Sequence, residues 1–274
     1  MKAMHRRRQI LQCALVGACL PAAAQGSRDA ARQAVIDGPH RSPANRARDA
    51  ARHPLQTLNF FGLEPGHRVV ELAPGSGWYT EIVAPFLRPH GRLHAAHPAA
   101  DSAQEERRRS RARFESWLAQ SPDLYHRVVM ATLPSAGAFG DVPRAADLVL
   151  TFRNVHNWIE EGVFDALLRA CHAVLKPGGV LGVVDHRAAP GTPLEKMISS
   201  GYVTEALMEE RAVAAGFTRA ARSEINANPR DSKDHVNGVW SLPPSLRGKE
   251  LERERFLAIG ESDRFTHRYL KPRG

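Results

Sequence analysis

Three short stretches of this 274-residue chain gather side chains that could do chemistry. The first, "VVELAPGSGWYT" (Val69 to Thr80), runs from an apolar stretch through Glu71 and the pair Ala73-Pro74 into Gly75 and Gly77, then Trp78 and Tyr79. Residues without side chains let the backbone bend sharply and approach a ligand, while a helix opening after the bend offers free N–H groups. A carboxylate beside the bend would repel a phosphate, so a ligand with a cationic group or free hydroxyls fits better. Trp78 and Tyr79 either stack on a flat acceptor or pack the first helix against the sheet; packing is the expectation.

The second stretch, "FRNVHN" (Phe152 to Asn157), offers Arg153, Asn154, His156 and Asn157, and the third is Asp185-His186-Arg187. Histidine is the side chain whose intrinsic pKa suits proton transfer near neutrality, which makes His156 a candidate base, while Asp185 could orient or charge His186. Arg153 either attracts an anionic acceptor or pairs with Glu160 or Glu161. Asp185-His186, Asp234-His235 and His156 lack the tight His or Cys spacing of a metal site, and no metal is expected.

These groups need a scaffold that brings them to one edge. Apolar strand-like runs at Arg68 to Leu72, Arg92 to Ala96, Arg127 to Met130, Asp147 to Phe152 and Val180 to Asp185 alternate with helical segments. That alternation is the signature of a mostly parallel sheet covered on both faces, whose ligands bind beyond the carboxyl ends of the strands. Pro54 opens a helix with Leu55, Leu58 and Phe61 on one face, a helix is expected from about Thr204 to Ala215 with Gly216 as its stop, and "RFTHRYLKP" reads as a final edge strand. "SEINANPRDSKDHVNGVW" suits a loop or hairpin insertion, "EERRRSRAR" a solvated helix face. Tyr202, Asn226, Asn228, Glu261 and Asp263 either form a lid over the ligand edge or satisfy loop backbone groups.

A dinucleotide fingerprint wants a third glycine, which is absent, so a reductase is disfavoured. With Glu71, "VVELAPGSG" instead resembles motif I of class I S-adenosylmethionine-dependent methyltransferases, with Ala73 standing where that family usually has its first glycine. "DLVLTFRNVHNWIEEGVFDALLRACHAVLKPGGVLGVVDHR" resembles the strand 4 to strand 5 segment of the same enzymes. In it "LKPGG" ends the helix with Lys176 at its negative pole, blocks it with Pro177 and turns at Gly178-Gly179. With "SGYV", "SEINANP" and "IGESDR", the chain from about Arg46 onward is most similar to a group of predicted exported methyltransferases.

The resemblance implies an α/β, Rossmann-like class I methyltransferase fold: a mostly parallel seven-stranded sheet with helices on both faces and an N-terminal helical extension. It implies S-adenosyl-L-methionine as cofactor, held by Glu71, Ala73, Pro74, Gly75, Gly77, Trp78, Tyr79 and Phe152. It implies too a small-molecule acceptor served by Arg153, Asn154, His156, Asp185 and His186. The acid that should end strand 2 and accept from the ribose hydroxyls is replaced: His97 stands there and Asp101 follows four residues later. Either Asp101 folds back into the site, or Glu71 and backbone groups carry the affinity. The alternative from another class is a non-catalytic protein that uses the same cleft for a nucleoside-like ligand.

Composition fits one sizeable domain (54–274) behind a leader (1–24) and an exposed arm followed by a helical stretch (25–53). Of 38 basic residues, Lys2, Arg6, Arg7 and Arg8 stand in the leader, which leaves 34 against 29 acidic residues and no nucleic-acid footprint. The leader has a basic start, an apolar run from Ile10 to Leu20 and a small-residue site at Ala22-Ala23-Ala24, too short for a span. Arg7-Arg8 before Ile10-Leu11 resembles a twin-arginine export signal, with a lipid anchor at Cys19 in "VGAC" as the rival; both put the protein outside the cytoplasm, in the periplasm. Removal of the leader leaves Cys171 alone, expected to be a small buried hydrophobe.

Overall fold

A computed structural model describes residues 22–134, 138–248 and 252–273. The leader up to residue 21, with its arginine pair and Cys19, lies outside the described residues. Helices α1 (Ala22–Ile36), α2 (Pro43–Arg46), α3 (Asp49–Arg52) and α4 (Pro54–Phe61) precede strand β1 (Arg68–Leu72). Then come α5 (Thr80–Leu87), β2 (Arg92–His97), α6 (Glu105–Ala119), α7 (Pro122–Tyr125), β3 (Val129–Thr132), β4 (Ala146–Phe152), α8 (Val155–Glu160), α9 (Phe164–Val174) and β5 (Leu175–His186). The chain ends with α10 (Leu194–Ser200), α11 (Glu205–Ala214), β6 (Thr218–Ser223), a single 3-10 turn at Gly238–Ser241, α12 (Arg253–Ile259) and β7 (Arg264–Leu270).

The seven strands form one sheet in the order β3-β2-β1-β4-β5-β7-β6, parallel except where β7 runs against β5 and β6. Chain order reverses between β1 and β4, so a crevice opens beyond their carboxyl ends. Alternate residues of each strand feed opposite faces. Val69, Leu148 and Leu150 pack with Ile36, Leu58, Phe61 and Ile82 beneath α1, α4 and α5. Val70, Val149 and Val183 pack with Leu167, Cys171, Met208 and Ala212 beneath α9 and α11. Cys171 is fully enclosed there, and burial pushes its thiol up to about 12, so it behaves as a hydrophobe. Among the described residues no helix is long and apolar enough to cross a membrane.

Three expectations are corrected. The "RFTHRYLKP" segment is β7, but it lies between β5 and β6; the edge is β6, whose "TRAARS" sequence is mostly exposed and carries no apolar alternation. Lys176 does not cap α9: it is half exposed and pairs with Asp147, while Lys271 Nζ donates to His172 O and Leu175 O, both at 2.8 Å. The Lys176–Gly179 segment becomes a bulge within β5, between the pairs Ala146↔Leu175 and Leu148↔Val180, with Gly178 left-handed at φ 78°.

The N-terminal segment, expected as an exposed arm, is packed onto the domain. Arg41 donates twice to Asp49 (2.7 and 2.9 Å) and once to Ile36 O (3.0 Å), and its guanidinium lies 3.5 Å from Glu81 on α5. Trp78 Nε1 donates to Asn45 O at 3.0 Å. These bonds fix α2 and α3 against the opening of α5 and carry Arg48 and Arg52 to the crevice.

Candidate functional site

The bend after β1 is built by two residues with left-handed backbone before the first regular helical turn, Ala73 (φ 46°) and Gly75 (φ 61°), with Gly77 (φ 86°) closing it. Ala73 N–H donates to Ala96 O and the Asn154 side-chain amide donates to Leu72 O and Ala73 O (3.2 and 3.3 Å), so β2 and the end of β4 hold the bend in place. The two glycines have different reasons. A Cβ on Gly75 would meet nothing within 4 Å, whereas on Gly77 it would stand 2.6 Å from the Trp117 ring of α6. Gly77 therefore makes room for a neighbouring side chain and does not line the cavity described below, whereas Gly75 keeps an open face. At Ala73 the left-handed conformation costs an alanine about 1 kcal/mol. Ala73→Gly is expected to raise stability by about 0.5 kcal/mol after its larger unfolded-state entropy, readable as a small increase in Tm.

Glu71, at the end of β1, is 2 % exposed and accepts from Thr80 Oγ1 at 2.7 Å. Burial pushes its carboxyl up to about 7, with the Thr80 bond opposing. Glu71, Ala73, Pro74, Gly75, Trp78, Tyr79, Phe152, Arg153, Asn154, His156 and His186 line one cavity of ≈ 270 Å³. A second cavity of ≈ 440 Å³ adjoins it at Ala73, Asn154 and Asn157 and extends along β2 and β3 past Pro98, Ser102 and Thr132. The second lies within the size range of small-molecule sites and the first just below it.

Trp78 and Tyr79 pack. Trp78 lies beneath the guanidinium groups of Arg41 and Arg52 at 5.1 and 4.5 Å, and Tyr79 stacks on Phe152 with centroids 3.4 Å apart; each keeps an edge on the first cavity. His97 and Asp101 are not brought to either cavity. His97 is enclosed against Phe114 at 4.4 Å with both ring nitrogens unpartnered, and burial, aided by Arg111, pulls it down to about 4. Asp101 is exposed and does not fold back. The carboxylate lining the second cavity is Glu161, paired with Arg107 at 2.6 Å.

Beyond β4 and β5 the pairing differs from the sequence reading. Asp185 Oδ2 accepts from Val155 N–H (2.6 Å) and Oδ1 from His186 N–H (2.7 Å), and Oδ1 faces His156 Nδ1 at 3.2 Å. Asp185 thus orients His156, not the His186 ring, because consecutive strand residues point to opposite faces. An ionised carboxylate can only accept, so His156 Nδ1 carries a hydrogen, and in the neutral imidazole the lone pair is on Nε2. His186 Nδ1 is hydrogen-bonded to Ser262 Oγ, and burial, reinforced by His156 and Arg153, holds the ring well below its ordinary pKa and neutral. His156, Asp185 and His186 hold ligand atoms within 4.8 Å of one another. The Asp185 oxygens and both Nδ1 atoms are engaged as described, which leaves the two Nε2 atoms as the uncommitted donors of this cluster.

Arg153, left-handed at φ 62°, stands apart from Glu160 and Glu161 and faces Glu261 with Arg48, Arg52 and Arg264. Burial comes first and would raise Glu261, but Arg52, Arg264 and Arg48 together pull it down to about 2. Of the expected lid residues only Glu261 lines the cavity. Tyr202 donates to Asp231, Asn226 to Thr57 and Thr266, Asn228 to Ile259 O and Glu261 O, and Asp263 accepts from Asn228 N–H: loop groups satisfying one another. The cover is instead Val239, Trp240, Pro243, Pro244 and Ser245, from the polar insertion and the residues after it. Sequence reasoning missed these, and it missed Arg48, Arg52 and Ser262; only the Trp-Pro-Pro composition hinted at a rigid apolar flap.

No protein-family model matches the sequence, and comparison with curated proteins finds no relative. Solved structures do resemble it. A SAM-dependent methyltransferase from Aquifex aeolicus superposes with a TM-score of 0.55 at 15 % identity over 89 % of this chain and 98 % of that one. The cyclase SpnF gives 0.57 at 18 % over 92 % and 96 %. Haemonchus contortus phosphoethanolamine N-methyltransferase 2 in complex with S-adenosyl-L-methionine gives 0.55 at 15 % over 88 % of this chain and 60 % of that one. At these identities the likeness is one of fold: the chain has the Rossmann-like fold of class I methyltransferases.

Proposed function

We propose that this protein is an S-adenosylmethionine-dependent methyltransferase that acts on a small molecule outside the cytoplasm. The observation that carries the reading is a single cavity with Glu71 and the open Gly75 bend at one end of the crevice and a base-ready imidazole, His156, in its lining. The donor set fits the cofactor: a carboxylate for its ammonium, a bend free of side chains for its aminoacyl tail, and an adjoining cavity toward β2 and β3 for its nucleoside. Bound there, the cofactor supplies an electrophilic methyl on a sulfonium. The chain does the rest: Trp240 and the prolines beside it exclude water, Asn154 keeps the bend in register with β4, and His156 Nε2 takes the acceptor's proton while Asp185 holds Nδ1.

Calorimetry with S-adenosylhomocysteine tests the reading. A Kd on the order of 10 µM is expected, and absence of heat at millimolar ligand removes it. The non-catalytic alternative draws on His97, which leaves no carboxylate after β2 for a ribose; it predicts binding of adenosine as tight as that of S-adenosylhomocysteine.

Export rests on the leader. A chain carrying Arg7→Lys with Arg8→Lys is expected to stay in the cytoplasm when cells are fractionated, while the unchanged chain reaches the periplasm. Equal distribution of the two discards the twin-arginine route.

A further inference from the structure

One wall of the first cavity carries more positive charge than the chain itself answers. Arg48 Nε donates to Glu261 Oε1 at 2.7 Å, Arg52 Nε to Oε2 at 3.1 Å, and Arg264 Nη1 to Oε2 at 2.9 Å, so one carboxylate is shared by three guanidinium groups. The guanidinium of Arg153, the fourth, has no hydrogen bond or ion pair among the described residues, although the residue lines the cavity. The Nη2 atoms of Arg48 and Arg52 are buried without a partner, and the Arg52 residue is only 2 % exposed. Even with the site's other carboxylates, Glu71 and Asp185, four guanidinium groups face three acids. Burying an unanswered cation is costly, and the strain is visible. Burial first, then repulsion by Arg153, pulls Arg52 down to about 9, and burial, opposed by Glu261 but aided by Arg264 and Arg48, pulls Arg153 down to about 10.

The cofactor's one carboxylate can answer a single guanidinium and does not remove this excess. The cofactor carries an ammonium, a sulfonium and one carboxylate, so its arrival adds a positive charge. The partner that the wall lacks is an anion from elsewhere. Resting on the methyltransferase reading, we propose that the methyl acceptor bears an acidic group, a carboxylate or a phosphate, held by Arg48 and Arg52 of the N-terminal extension together with Arg153 at the end of β4. Guanidinium forks are suited to either oxyanion, and three of them fix an acceptor's orientation before transfer. Arg153 and His156 come from the same turn after β4, so the group that grips the anion and the base that deprotonates the acceptor move as one unit. The extension thereby completes the acceptor site.

Calorimetry of the full chain tests the assignment, with inorganic phosphate and benzoate as anionic probes, benzamide as the neutral control, and S-adenosylhomocysteine at saturation. Expected are heats for at least one anion and none for benzamide, the tighter anion naming the acid. Arg153→Gln should weaken the anion about tenfold while S-adenosylhomocysteine changes by less than about twofold. Arg153 makes no side-chain bond to lose, so this variant is expected to melt as the wild type does. If it does not, added NaCl weakening the anion in the wild type, with benzamide silent, gives the same reading. Silence of both anions overturns the proposal. So does an equal loss of S-adenosylhomocysteine affinity in Arg153→Gln, which would assign the cluster to the cofactor's own carboxylate. Should S-adenosylhomocysteine fail to bind at all, the probes are run on the free protein: an anion bound there keeps the cationic subsite while the methyltransferase reading falls.

Discussion

Glu71→Gln is expected to give a protein more stable than the wild type at neutral pH and about 100-fold weaker in binding S-adenosylhomocysteine. Both effects come from one burial. In the fold Glu71 titrates at about 7 against 4.5 for an exposed glutamate. A carboxyl raised by folding leaves stability intact below about pH 4.5 and withdraws it as pH rises toward 7, because the fold must then hold a buried negative charge. The gap corresponds to about 3 kcal/mol by pH 8; a buried glutamine amide gives part of that back, so the variant should gain about 2 kcal/mol there and little at pH 5. Thermal melts from pH 5 to 8 check this: the two Tm curves should diverge as pH rises, and parallel curves would exclude the buried charge.

The binding half runs the opposite way. A cationic amine stabilises the ionised carboxyl, so wild-type affinity should fall about tenfold per unit as pH drops below 7, with proton release on binding. In Glu71→Gln the affinity should be low and independent of pH. Calorimetry in buffers of different ionisation heat separates the two. Thr80 keeps an oxygen acceptor in the variant, so the bend itself should stand.

Much of this was readable from residues, and the failures share a cause. Val69-Val70, Leu148 to Leu150 and Val180 to Val184 are apolar because both faces of the sheet are covered, and such runs identify themselves. β6 does not, since "TRAARS" bonds only to β7 and faces solvent. The N-terminal arm read as exposed because arginine is charged. Yet Arg52 finds its carboxylate at Glu261, 209 positions away, and nothing local encodes that distance. Gly75 and Gly77 looked equivalent in sequence and differ only because Trp117 occupies the space beside the second. Asp185 and His156 were both singled out by residue type, but their pairing was not: adjacency suggested Asp185 with His186, whereas strand alternation and the register Phe152↔Val184 present Asp185 to the first turn of α8.

That pairing makes Asp185→Asn the other large perturbation. Three N–H donors converge on the two carboxylate oxygens, those of Val155, His186 and His156 Nδ1. An asparagine offers one oxygen and one NH2, so in either flip an amide donor faces another donor and one buried N–H loses its acceptor. A loss of about 2–3 kcal/mol in stability is expected. Where the NH2 turns toward His156, the neutral imidazole must accept at Nδ1 and carry its hydrogen on Nε2, which removes the lone pair from the cavity side. Methyl transfer should then fall by about 10²–10⁴-fold with cofactor affinity nearly unchanged. The tautomer can be read without any acceptor, from imidazole nitrogen shifts in 15N NMR. The wild type should show a protonated Nδ1 and a bare Nε2 on His156, and Asp185→Asn the reverse in the flip that turns NH2 toward the ring. A wild-type His156 already protonated on Nε2 at neutral pH would remove it as the base and leave Asp185 as no more than the cap of α8.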